Sequence, residues 1–306
     1  MIGFKRTGNE KLFNNKSNKS RLKPYLFLLP ALLVTALFVG HGLFMAAKES
    51  FVTDGNEIIF HYYVELWKHD TFLYSLRVSV WVAFISTAIS LVIGLLITRV
   101  MFRLFSRDGW KFIAWFPMLI PHFVAAYICF LLFAPSGWLS SVFFQIGWLE
   151  SMSQFPVFVN DPLYIGVIFT YIWKEIPFVV LMLLPVYQEM DLRFEDVSRT
   201  LGGNKWSVFK TVEFPWVWPI SLEVFLILFV FILGAFEVPA LLGVTYPKMI
   251  PVLAYEWFYQ GQWANRPLAQ AMMICMSVVA LIAAVLILTF TQRWRAKWAT
   301  SRGDDE

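Results

Sequence analysis

Among the ionisable side chains inside otherwise apolar stretches of this sequence are His122, the neighbours Lys174 and Glu175, and Glu237. Placing such a group at mid-bilayer costs at least about 2.5–3.5 kcal/mol on insertion scales, so it normally faces a water-filled path or a partner. Lys174, Glu175 and Glu237, with the aromatic neighbours Trp173 and Phe236, are the candidates for a transport path or its gate. The carboxylates beside aromatic rings suit a cationic solute, while Lys174 equally suits an anion, so solute class stays open. Lys174 pinning two helices through a nearby carboxylate is the competing reading. His122 either lines the path or bonds a neighbouring backbone group. Catalysis finds no support: the four histidines and two cysteines form no metal-ligand or triad spacing, and there is no Gly-x-x-x-x-Gly-Lys-Ser/Thr phosphate loop.

The elements that position these residues follow from composition. With 58% hydrophobic and 15% charged residues, the chain falls far below the roughly 25% charge of soluble domains. Crossing the hydrocarbon takes about 20 apolar residues per helix. Six stretches qualify: 25–47, 75–102, 112–134, 162–186, 217–242 and 268–292. Many of the 14 Trp and 31 Phe sit near their ends, as aromatic belts require. Pro117, Pro121, Pro177 and Pro239 are expected to kink their spans and free carbonyls there. Cys129 and Cys275 fall within spans and imply no disulfide. The basic start and the apolar run ending Met45-Ala46-Ala47 have the outline of a signal peptide, but the run exceeds the 7–15 residues of a typical signal core. Span one is expected to remain, preceded by a basic cytoplasmic tail over 1–24.

Basic residues alternate between loops and set the orientation. Lys5 to Lys23 precede span one; Arg103, Arg107 and Lys111 follow span two; Arg193, Arg199, Lys205 and Lys210 follow span four; Arg293, Arg295, Lys297 and Arg302 follow span six. The opposite loops are poor in them: 135–161 has none, and Asp54, Glu57, Glu65 and Asp70 make the first outer loop acidic. Both termini are therefore expected in the cytoplasm. The net charge of +4 then fits attraction to anionic lipid and not to nucleic acid. The aromatic stretch 255–263 is read as an outer loop, serving either as an interfacial belt or as a docking surface.

Between spans four and five, the loop 187–216 has its own design. Asp191 suits a helix cap, and Glu195 and Asp196 put negative charge near a helix start. Gly202 and Gly203 can end that helix with left-handed backbone. Phe194, Val197 and Leu201 recur on one face, making a small apolar knob. A helix lying flat on the headgroups is the alternative from periodicity alone. A second helical turn is expected over 205–213, with span five starting at Phe214-Pro215.

This loop resembles the signature of inner-membrane permeases of binding-protein-dependent ABC importers: Glu-Ala-Ala, three residues, Gly, nine residues, Ile, one residue, Leu-Pro. Asp196, Val197 and Ser198 fall on the triplet, Gly202 on the glycine, and Val212, Phe214 and Pro215 on the closing pattern. Asp for Glu and Val for Ala depart from it, and Glu195 is a substitute acid. Phe116–Pro121, Ile172–Phe178 and Leu233–Gly243 resemble the branch importing polyamines, opines and phosphonates, with thiamine and iron relatives nearby.

The resemblance implies an all-α integral membrane fold of the type I importer-permease kind with six transmembrane helices. It implies a five-helix core over 75–292 and a coupling helix carrying Glu195, Asp196, Val197, Ser198, Leu201, Gly202 and Pro215. The partners implied are a dimer of ABC ATPase subunits that bind the ATP and Mg, a second permease, and a periplasmic or extracellular solute-binding protein. This chain would hold no cofactor itself and sit multi-pass in a bacterial inner membrane. An ion-gradient-driven carrier and a non-transporting scaffold or receptor are the rival readings.

Overall fold

The computed structural model describes residues 10–51, 60–104, 109–261 and 263–303. Residues 1–9 of the basic tail, Asp54, Glu57 and Arg107 lie outside this set. Six helices are long and apolar enough to cross a membrane, and no strand occurs among the described residues.

Two units make up the chain, divided between Ile59 and Phe60. The first holds α1 (Glu10–Phe51), 42 residues without a break. Its apolar part, Phe27–Phe51, covers all but the first two residues of the expected first span. The exposed faces of Phe27, Leu32, Leu37 and Phe38 suit contact with lipid chains.

The second unit opens with α2 (His61–Lys68) and α3 (Asp70–Leu104). Part of the expected acidic loop is thus helical, with Glu65 on α2 and Asp70 starting α3. Span three is interrupted: α4 (Gly109–Trp115) leads into a 3-10 turn, Phe116–Leu119, before α5 (His122–Phe133) and α6 (Trp138–Gln145). Pro117 sits in that turn and Pro121 caps α5, since neither can donate a helical N–H. Span four is α7 (Ile165–Gln188), which keeps Pro177 and Pro185 inside one continuous helix. Asp161 caps its start, accepting from the N–H of Ile165 at 2.9 Å.

Beyond α7 come α8 (Arg193–Thr200), α9 (Lys205–Val208), a π-helical turn Phe209–Glu213, and α10 (Phe214–Gly234). α10 starts at Phe214-Pro215, where the sequence placed the start of span five, and the π turn joins it to α9 in one helical run from Lys205 to Gly234. Pro215 lacks an N–H and crowds the carbonyl four residues back, and the wider π turn gives that ring room. Span five ends early. The chain leaves the helix at Ala235 and restarts as α11 (Glu237–Leu242), followed by α12 (Ile250–Tyr259) and α13 (Arg266–Gly303). Phe236 and Glu237 therefore lie past a break, not within the outer half of span five, and most of 255–263 is helix.

The core forms where α3 packs along α7, with α10 crossing both. Ser75, Ser79, Ala83, Ser86, Ser90 and Gly94 make a buried small-residue stripe on α3. Such residues let helices approach closely in lipid, where the hydrophobic effect does not drive association. At Gly94 an added Cβ would lie 2.5 Å from Val179. Ser79 also accepts from the N–H of Ile250 at 2.7 Å, tying α12 to α3.

Candidate coupling helix and transport path

The short helix α8 is closed at both ends by local chemistry. The Asp191 carboxylate accepts from the backbone N–H of Arg193 at 3.0 Å and pairs with its guanidinium at 2.7 Å. Those bonds hold the Asp191 carboxyl below its usual range. At the other end Gly203 N–H donates to Ser198 O and Gly202 N–H to Arg199 O, both at 2.9 Å. This is the paired bonding of a Schellman stop, with Gly202 at φ +84°. A Cβ on Gly203 would meet Ser198 O at 2.6 Å.

Between these stops the helix has two unlike faces. Phe194, Val197 and Leu201 are 51%, 56% and 84% exposed, with Leu192 and Trp206 beside them. The apolar knob expected from periodicity is present, and Asp196 is exposed with it. Glu195 turns the other way and is buried. Its carboxylate accepts from Arg103 at 2.8 Å and approaches Arg199 at 3.5 Å, so it is engaged within the chain and not offered outward.

Arg103 reaches further. The same Nη2 donates to Glu213 Oε1 at 2.6 Å, while Arg99 grips Glu213 bidentately at 2.7 and 3.0 Å. Glu213 is fully buried, and the Arg99 guanidinium also lies over the Phe209 ring at 5.0 Å. Sequence reasoning took Arg103 as a topology marker and gave Arg99 and Glu213 no role. The usable signal was two arginines four residues apart on one face at a helix end.

Within the spans, three consecutive residues of α7 fasten the interrupted span three. Trp173 Nε1 donates to Cys129 Sγ at 3.4 Å. Lys174 Nζ donates to the carbonyls of Pro117 and Ile120 at 2.7 and 2.6 Å. Glu175 Oε1 lies 2.9 Å from His122 Nε2. Lys174 does pin packing, but through carbonyls at the break and not through a carboxylate. His122 bonds a side chain instead of the backbone, and its ring stands 5.0 Å from that of Phe231. Lys174 and Glu175 are buried and engaged, whereas Glu237 is exposed at the start of α11. Phe236 packs its ring 4.9 Å from Tyr255. Trp173, Lys174, Glu175 and His122 thus converge, while Phe236 and Glu237 belong to a separate turn.

This arrangement makes a direct prediction. Replacing Lys174 with Met removes its bonds to two half-buried carbonyls; Pro117 O keeps the Ile120 N–H, so the loss falls mainly on Ile120 O, at most about 1–3 kcal/mol, and is partly offset because a buried charge is removed as well. Lys174→Met should unfold at lower denaturant than the parent in a lipid-detergent mixture. Lys174→Glu, which sets a carboxylate against two carbonyls, should fail to accumulate.

The fold and the protruding helix define the class: an all-helical membrane subunit built as an importer permease. The chain belongs to the family described as the binding-protein-dependent transport system inner membrane component, whose pattern matches residues 90–296. It is similar to the probable sulfate transport system permease protein cysT of Chlorella vulgaris, with 26% identity over 69% of this chain and 77% of that one. The thiamine transport system permease protein ThiP of Salmonella typhimurium is 22% identical over 75% of this chain and 44% of its own length. The trehalose/maltose permease protein MalF of Thermococcus litoralis is 22% identical over 91% and 95%. A bacterial alginate ABC transporter chain, solved with its periplasmic protein, superposes with a TM-score of 0.74 at 22% identity, covering 91% of this chain and 96% of that one. These relatives support the family and the fold and do not narrow the chain to the polyamine, opine and phosphonate branch.

Proposed function

We propose that this chain is one permease subunit of an ATP-driven solute importer, lying multi-pass in a bacterial inner membrane with both ends in the cytoplasm. It supplies half of the translocation path and pairs with a second permease, identical or homologous. Two ATPase subunits carry the ATP and Mg, and a periplasmic or extracellular binding protein delivers the solute. The observation that carries this reading is α8, a capped helix that presents Phe194, Val197 and Leu201 outward while Glu195 is locked inward. Exposed apolar side chains on a rigid, charge-anchored stub fit a groove on a protein better than a lipid surface, which needs no fixed anchor.

The solute is inferred to be small and charged. The motifs in spans three to five favour polyamines, opines or phosphonates, and the relatives named for sulfate and molybdate/tungstate extend the range to oxyanions. Because Lys174 and Glu175 are engaged within the chain, Glu237 is the more available of these charges to a passing solute.

The test is uptake by proteoliposomes holding this chain with the ATPase, second permease and binding protein encoded beside it. Uptake should require ATP on the ATPase side and survive collapse of ion gradients. Uptake that stops when the gradients collapse, with ATP intact, would establish a secondary carrier. Absence of flux in every combination would establish a scaffold or receptor.

A further inference from the structure

We infer that Arg103 is the positioning residue that makes α8 move as one body with the feet of spans two and five, so that a push on the coupling helix reaches the path. This deepens the reading of the chain as an importer permease and rests on it. One guanidinium nitrogen, Nη2 of Arg103, bonds Glu195 on α8 at 2.8 Å and Glu213 at the foot of α10 at 2.6 Å. Arg103 itself belongs to the last turn of α3. Three separate elements thus meet at a single cation. Arg99, one turn earlier on α3, holds the other side of Glu213 through two bonds, which leaves that carboxylate without freedom to swing.

The packing explains why a charge is needed there. The inner side of α8 rests on α9 and the π turn, and its apolar residues point away, so the helix has little apolar surface of its own to bind it to α3. Glu195 fills that gap with a buried charge-assisted bond, which is short and directional. Arginine suits the place because the two N–H groups of that one nitrogen point in fixed directions in a rigid plane, whereas a lysine ammonium sits on a flexible stem and holds no such orientation. The bond from Arg199 to Glu195, at 3.5 Å and with Arg199 57% exposed, stays within α8 and carries no load to the spans.

The test uses Glu195→Gln and Arg103→Lys in the reconstituted complex, read by two measurements. The first is solute taken up per ATP hydrolysed. We expect that ratio to fall roughly tenfold, the scale of losing one hydrogen bond to a charged group, while hydrolysis stays near the parent rate and the ATPase still co-purifies. Uptake and hydrolysis falling in parallel, or an unchanged ratio, would overturn the inference. The second measurement needs no transport: spin labels at Val197→Cys and Leu104→Cys, in a chain with Cys129→Ser and Cys275→Ala. A narrow distance distribution in the parent should broaden in Glu195→Gln; the same narrow distribution in both would overturn the clamp. If the unsubstituted complex shows no ATP-driven uptake, the importer reading fails, and the spin-label distances still decide the clamp.

Discussion

Gly202→Val is expected to abolish ATP-driven uptake while the protein still inserts and accumulates in the membrane. Gly202 holds φ +84°, and left-handed backbone costs a residue with a Cβ roughly 1–2 kcal/mol, most of all a β-branched one. There is open space around its Cβ position, so the cost is conformational and not a clash. The strain is relieved by unwinding the last turn of α8, which would displace Val197 and Leu201 from the docking face. Six spans remain untouched, so insertion should survive. Uptake and membrane abundance measured side by side check the claim, and normal uptake in the variant would remove the main support for α8 as the coupling element.

A second large effect is expected at Glu213, and here stability is the readout. Its carboxylate is fully buried and accepts three bonds from two guanidinium groups. Removing one partner of a buried ion pair costs about 3–5 kcal/mol, because the remaining charge is left uncompensated. The arginine side chains are 30% and 31% exposed, and access to water pulls the figure for Glu213→Ala toward the low end. Denaturant unfolding in a lipid-detergent mixture should show it, with Glu213→Gln less affected because an acceptor oxygen remains. Equal stability of Glu213→Ala and the parent would mean that water, with Glu195 for Arg103, satisfies the two arginines as well as Glu213 does.

Hydropathy located all six spans because a twenty-residue apolar run has few other uses in a protein. It was blind to where two of them break. The run from Leu233 through Leu242 carries one charge, Glu237, and its Pro239 was read as a kink within a continuing span, so Ala235 was not marked as a stop. The interruption at Pro117–Pro121 was legible as proline chemistry, but its satisfaction by Lys174 was not. Those bonds join residues 57 and 54 positions apart, and periodicity reads only neighbours.

The candidate site divides in the same way. The face of α8 and its glycine stop were readable because they are local: spacing fixes the first and left-handed backbone the second. Glu195 was read as a possible outward contact because its partner lies on another helix, 92 positions away. Arg103 looked like an ordinary topology signal, since an arginine at a helix end serves that purpose whatever it also bonds, and Arg99 was given no role. Side-chain pairing across the bundle is settled by tertiary packing, and a single sequence carries no direct record of it.

The seam between α3 and α7 bears on how this subunit changes shape. With Gly94 set against Val179 and no clearance for one more methyl group, the two helices cannot slide past each other without first separating, and close-packed interiors resist that. They form a stiff spar, and bending is left to the joints at 116–121 and 235–236, where the α-helix is already interrupted. Another conformer of this subunit with Gly94 drawn away from Val179 would contradict this.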